Sequence, residues 1–247
     1  MKSALRGAAQ ALALSVGLCS VVHAAPTTYF GNNPSPGGVV TGNPLAARND
    51  FLQDLKSSVS SQGFESFALG TSTSPSGLAL SFAGSTSPLL ATVFGSGSVS
   101  NVTTDGRFNT TPGGNRWWQT TGNFSISFGT AISAFGFYAT DLGDFDGGLD
   151  IDLTNAAGGT STLSVSSATG AASGGLLFFG FIDPTVSYRS ITFRSLGSGV
   201  DFFGFDDMVI GDIGQVVGTP PSGVPEPATL ALVALSLGAL AVSRRKT

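Results

Sequence analysis

Cysteine and histidine occur once each, as Cys19 and His23, and both stand within the first 25 residues of a 247-residue chain. Those residues read as a secretory signal peptide. Lys2 and Arg6 give a positive start, Ala8 to Val22 an apolar run, and Ala24 and Ala25 the small residues beside which a signal peptidase cuts. An uncleaved anchor would need about 20 apolar residues. A lipidated Cys19 is disfavoured by Leu18, too bulky for the position before it. Removal of the leader leaves a mature chain with neither residue. Disulfides, thiolate nucleophiles, zinc sites using either ligand, Ser-His-Asp triads and imidazole acid–base chemistry are thereby excluded within one chain.

Charge is also scarce, at 11% of residues. Between residues 25 and 223 there are six basic residues against 14 acidic ones, a net of −8, which argues against a nucleic-acid partner. What is abundant is glycine, with 35 residues, and phenylalanine, with 19. Gly/Ser-rich chains are often disordered, but disordered chains are poor in aromatics because they cannot bury enough surface to offset the entropy of ordering. A body of this length and aromatic content suits one β-rich domain, and no second domain is required.

The Phe residues recur with strand spacing. Phe124, Ile126 and Phe128 alternate with Ser125 and Ser127, the pattern of a half-buried strand. Similar segments are expected at Phe64 to Leu69, Leu78 to Phe82, Leu89 to Phe94 and Val99 to Thr103, and then at Phe135 to Ala139 and Leu149 to Leu153. Thr162 to Val165, Leu176 to Phe181, Tyr188 to Phe193 and Asp207 to Ile210 complete the set. Ahead of them, a Pro/Gly loop from Gly31 to Pro44 leads into Leu45 to Val59, whose three- and four-residue apolar spacing predicts one amphipathic helix capped by Asn49 or Asp50. Roughly ten or eleven short strands predict a mainly β fold, a jelly-roll-like two-sheet β-sandwich with one N-terminal amphipathic helix. A signal helix and a C-terminal transmembrane helix flank it. The expected divisions are a signal peptide at 1–25, the sandwich at 26–217, a Pro/Gly linker at 218–223 and a sorting segment at 224–247.

Chemistry concentrates in aspartates. Asp141, Asp144, Asp146, Asp150 and Asp152 fall within 12 residues, and Asp201, Asp206, Asp207 and Asp212 within another 12. Crowded carboxylates repel, so either water screens them on loops or a hard cation neutralises them. Ca²⁺ is the candidate cofactor, with Asp141, Asp144, Asp146, Asp201, Asp206 and Asp207 as ligands if the two loops meet. The EF-hand spacing is not present, and solvated acidic turns remain the alternative. Trp117 and Trp118 are candidate ligand contacts, because strand alternation turns one of two adjacent rings outward and an exposed indole stacks on a sugar. Glu65 and the aspartates offer carboxylates to a glycosidase, but nothing selects a pair, and Glu65 is expected on the outer face of a strand. No catalytic constellation emerges.

The other end is more specific. Val224, Pro225, Glu226 and Pro227 precede an apolar stretch from Ala228 to Val242, which stops at Arg244, Arg245 and Lys246. The prolines hold Glu226 on an extended, non-helical segment, and the basic stop places the C-terminus in the cytoplasm with the body outside. This arrangement resembles the PEP-CTERM sorting signal. The resemblance implies recognition by an exosortase, a membrane protease-transferase that cuts near Pro-Glu-Pro and passes the protein to the cell surface; a simple tail anchor is the alternative. The body also resembles one attached to such signals, through Phe30-Gly31-Asn32 with Gly37 to Gly42, Ala134 to Asp141, Phe178 to Asp183 and Asp201 to Met208. That resemblance implies a shared fold and no activity.

The functional expectation is an exported, transiently membrane-held, structural or adhesive surface or matrix protein associated with exopolysaccharide, with signal peptidase and exosortase as processing partners. A Ca²⁺-assisted carbohydrate-binding module is the alternative, and a polysaccharide-modifying enzyme a third.

Overall fold

The computed structural model describes residues 25–142, 148–165, 174–196 and 202–218. The expected signal peptide, the expected linker beyond residue 218 and the C-terminal segment lie outside these residues. Among the described residues no helix is long and apolar enough to cross a membrane.

Thirteen strands form two antiparallel sheets. In chain order they are β1 (Thr27–Asn33), β2 (Ser61–Gln62), β3 (Leu78–Phe82), β4 (Leu89–Gly95), β5 (Ser98–Ser100), β6 (Trp117–Thr120) and β7 (Phe124–Ile132). There follow β8 (Ala134–Thr140), β9 (Leu149–Asn155), β10 (Thr160–Val165), β11 (Leu176–Ile182), β12 (Tyr188–Ser195) and β13 (Phe203–Gly211). One sheet has seven strands in the order β1-β11-β8-β13-β6-β5, with β2 paired to β13, and the other has six in the order β10-β9-β12-β7-β4-β3. The two-sheet, mainly β architecture expected from the sequence is the one observed.

Burial explains which residues form which sheet. Strands β3, β4, β7, β9 and β12 alternate buried and accessible residues, so the six-stranded sheet packs on one face only. Strands β8, β11 and β13 are buried at every position, so the seven-stranded sheet is covered on both faces. Between the sheets the core is largely aromatic. Phe124 stacks on Phe193 at 4.2 Å, and the Phe205 ring meets Phe124, Phe137 and Phe193 at 4.9, 5.2 and 5.4 Å. Rings from both sheets thus interlock, with edge-on contacts that aromatic quadrupoles favour.

The outer face of the seven-stranded sheet is covered partly by helix α1 (Gly42–Gln53), which packs on β1, β11 and β8. Phe51 is its anchor. Gly180 and Gly136 are cross-strand partners, and a Cβ added at either would lie 2.9 Å from the Phe51 ring. Two glycines side by side make the trough that lets this ring lie against the sheet. Tyr29 of β1 meets Phe51 edge-on at 5.5 Å.

The helix departs from the sequence expectation. It begins at Gly42 with Thr41 as N-cap and no side-chain cap bond, and it ends at Gln53. Pro44 pre-sets the backbone of the first turn, so neither Asn49 nor Asp50 is needed as a cap. Beyond it, Leu55 bridges to Val216, and Lys56 N–H donates to the Gln215 carbonyl at 2.8 Å. The chain there has left the helix to pin the C-terminal end of the body. Phe64 to Leu69 is likewise not a strand. Phe64 has φ 59, and its carbonyl accepts a turn hydrogen bond from Phe67 N at 3.1 Å. Both rings pack toward the core because residues three apart in a turn face the same way, which imitates strand periodicity.

Candidate functional site

Strand β13 carries Asp206 and Asp207 across a bulge. Asp206 pairs with Tyr138 of β8, but Val209 pairs with Gly136, so β13 has one residue more than its partner. The extra residue turns Asp207 into the left-handed region, φ 47, which Asp tolerates better than most residues. Both carboxylates consequently face the connection between β5 and β6. Asp206 Oδ2 accepts from Thr110 N, Thr110 Oγ1 and Thr111 N at 2.7, 3.0 and 3.1 Å. Asp206 Oδ1 accepts from its neighbour's amide, Asp207 N, at 2.8 Å. The Thr111 hydroxyl lies 3.3 Å from Asp206 Oδ1 and 3.1 Å from Asp207 Oδ1, so its single proton is shared between the two acids. Burial pushes the Asp206 carboxyl up to about 7; the Asp207 charge adds to the rise, while the bonds from Thr110 and the Asp207 amide oppose it.

Asp141, also left-handed at φ 66, ends β8 on the same face. Its Oδ2 lies 3.3 Å from Arg107 Nη1 in a buried ion pair, and its Oδ1 accepts from Gly174 N at 2.8 Å. Arg107 and Thr110–Thr111 belong to one loop, so Asp141, Asp206 and Asp207 tie that loop to the outer face of the seven-stranded sheet. Among the described residues, no group of three or more His, Cys, Asp or Glu side chains is placed to hold a metal ion. Asp144, Asp146 and Asp201 lie outside the described residues. Asp150 and Asp152 lie elsewhere, on β9, where Arg194 bridges them with its Nη2 3.1 Å from Asp150 Oδ2. The hydrogen bonds from Arg194 and Thr162 hold the Asp152 carboxyl below the usual aspartate range.

The tryptophans correct an expectation. Alternation does turn them to opposite sides of β6, but both are buried, Trp117 at 1% and Trp118 at 0% exposure. Trp118 enters the inter-sheet core, where it packs on Phe64 at 6.1 Å. Trp117 faces outward beneath the β5–β6 connection, its ring edge across Gly204. The covered outer face is the reason neither indole offers a surface to a sugar. Glu65 is corrected too. It sits in a turn, and its Oε1 accepts from Asn115 N and Arg116 N at 2.9 and 2.8 Å. The same loop returns the Arg116 guanidinium to the Glu65 and Phe67 carbonyls.

The six-stranded sheet supplies the feature sequence reasoning could not assemble. Its outer face is uncovered, and strand register aligns Ala79, Thr92, Ser127, Ser190, Thr154 and Thr160 in one row across all six strands. Beside it runs a second row of Phe94, Ser125, Thr192, Asp152 and Thr162. The outward Ser and Thr were visible as alternation within each strand, but only register places them beside one another. The arrangement offers short hydroxyl groups about 4.8 Å apart from strand to strand.

Comparison with known proteins bears mainly on the tail. Residues 223–246 match the PEP-CTERM protein-sorting motif. The chain therefore carries a PEP-CTERM segment over Val224, Pro225, Glu226, Pro227, the apolar run and the basic stop Arg244, Arg245 and Lys246. That motif implies an exported protein, transiently anchored in the membrane and sorted by exosortase. No curated relative matches the sequence. Among solved structures, TmCBM61 in complex with beta-1,4-galactotriose is 14% identical, with a TM-score of 0.25 over 49% of this chain and 86% of that one. The CBM22-1–GH10 modules of Clostridium thermocellum endo-1,4-beta-D-xylanase 10B, complexed with xylohexaose, are 12% identical, with a TM-score of 0.30 over 49% of this chain and 25% of that one.

Proposed function

We propose that the PEP-CTERM tail delivers a non-catalytic, structural or adhesive protein to the cell surface or extracellular matrix, where it associates with exopolysaccharide. The observation that carries the proposal is a sorting tail joined to a sandwich with an open, hydroxyl-lined sheet face. A polysaccharide presents hydroxyl donors and acceptors in bulk, and short Ser and Thr side chains meet them at little cost in side-chain entropy. The absence of histidine and cysteine from the mature chain removes the commonest nucleophiles and bases, and Glu65 is engaged in holding a loop. Calcium assistance draws no support from Asp141 or Asp206, whose oxygens already accept protein hydrogen bonds.

The test is fractionation of producing cells. The protein is expected to co-purify with exopolysaccharide when exosortase is present and to remain in the membrane fraction when it is deleted. Recovery from exosortase-competent cells as free protein, with none in the polysaccharide fraction, would overturn the proposal.

A further inference from the structure

An open cleft of about 590 Å³ lies beside edge strand β10, bounded by the start of β1, the β9–β10 turn and the β11–β12 connection. Its volume is that of sites that take small ligands. Among the described residues lining it, the only charged side chain is Asp183, which is 1% exposed. Asp183 Oδ1 accepts from Thr185 N, Thr185 Oγ1 and Val186 N at 2.8, 2.7 and 2.9 Å, and Oδ2 accepts from Tyr188 OH at 2.7 Å. Its charge is thus committed to the turn beneath the cleft. Burial, with Asp183 beside it, holds the Tyr188 phenol above the ordinary tyrosine range, so it stays neutral, and the Ser161 hydroxyl bonds to it in turn. Ser161 and Leu163 pair with the core residues Leu153 and Ile151, so they point to the inter-sheet side of β10, where the cleft lies.

This lining selects a class of ligand. No accessible side-chain charge is present to hold a phosphate, a carboxylate or a metal ion. Hydroxyls at Ser161 and Thr185 lie among the apolar surfaces of Leu163 and Val186. A neutral sugar ring has the matching character, with C–H faces that seek apolar contact and O–H edges that seek hydrogen bonds. Among the described residues strand β10 pairs with β9 alone, so alternate amide groups along its other edge are additional donors and acceptors.

We propose that this cleft seats a neutral oligosaccharide segment, which rests on the exopolysaccharide association inferred above and gives it a location. The exported full-length chain, purified in detergent from cells lacking exosortase, is titrated calorimetrically with polysaccharide from the producing cells, and separately with cellohexaose and maltohexaose. Ala157→Trp is expected to weaken binding about tenfold or more without lowering the melting temperature, and Thr185→Trp, on the opposite rim, to weaken it as much at some cost in melting temperature, because its hydroxyl donates to Asp183. Ser127→Trp, on the open sheet face, is expected to weaken binding less than either rim variant. If wild type binds and the rim variants bind equally well, or if Ser127→Trp alone abolishes binding, the cleft is overturned and the exopolysaccharide association stands. If wild type binds none of the three probes, both fall. Amide NMR shifts test the same point without substitution: changes at Ala156–Thr162 support the cleft, and changes confined elsewhere overturn it.

Discussion

At the scale of single residues, Phe51 and Asp206 are the most consequential. Phe51 is fully buried against Gly136 and Gly180, so Phe51→Ala removes the contact that fixes α1 and is expected to cost about 3–5 kcal/mol. Gly180→Ala works from the other side, forcing a methyl group to 2.9 Å from the ring, and should cost about 1–3 kcal/mol by overpacking. Denaturant melts measure both, and a neutral Gly180→Ala would show that the ring can move aside. Asp206 makes stability depend on pH in an unusual direction. Its folded value, about 7, lies above the ordinary 3.8, so the folded state keeps a proton that the unfolded chain gives up. The contribution is whole below pH about 4 and is lost as pH rises through about 7. Wild type should therefore lose more melting temperature between pH 5 and pH 8 than Asp206→Asn does. An equal loss in both would remove Asp206 as the source. Melts of the wild type in EDTA and in millimolar calcium should agree, since the Asp206 oxygens already accept bonds from Thr110, Thr111 and Asp207.

At the scale of elements, the connection between β5 and β6 has little regular structure, yet it is pinned to the outer face of the seven-stranded sheet. It is held at three points, by Glu65 on Asn115 and Arg116, by Asp206 on Thr110 and Thr111, and by Asp141 on Arg107. Removing one acceptor leaves amides without partners, which costs about 1–3 kcal/mol when they are buried and less here, where Asn115 is exposed. Glu65→Ala should accordingly speed hydrogen exchange at the Asn115 and Arg116 amides while leaving those of β7 and β12 at the wild-type rate. Unchanged exchange at residues 115 and 116 would mean the loop is held elsewhere. Legibility divides along the same lines. Strands β3, β4 and β7 face water on one side, so alternation marked them clearly in the sequence. Strand β1, with its Gly31-Asn32-Asn33 end, was read into a loop because it lies at a sheet edge and is mostly accessible. The aspartate clusters are legible as clusters, but the partners of Asp206 lie 95 and 96 residues away and that of Asp141 34 residues away along the chain, on a loop that composition does not connect to them. The cleft beside β10 leaves no local pattern at all, because it is assembled from three separated segments.

At the scale of the whole molecule, the body and its address separate cleanly. The C-terminal end of the sandwich is pinned where Val217 N donates to Asp54 O at 2.9 Å and Val216 bridges to Leu55, at the end of α1. Processing at Pro225-Glu226-Pro227 should therefore leave the fold untouched, and failure of processing should leave a folded protein in the wrong place. Replacing these three residues with alanine restores the backbone N–H donors that proline lacks and lets a helical run extend outward from the apolar segment, hiding the cut site from an enzyme that needs extended chain. The expected product is full-length, membrane-retained protein whose body resists limited proteolysis as the wild-type body does, with no material in the exopolysaccharide fraction. Wild-type amounts of shortened, surface-delivered protein would show that the motif is not read. A membrane-retained but protease-sensitive body would instead show that the tail contributes to folding, contrary to the independence the Val216–Val217 clamp implies.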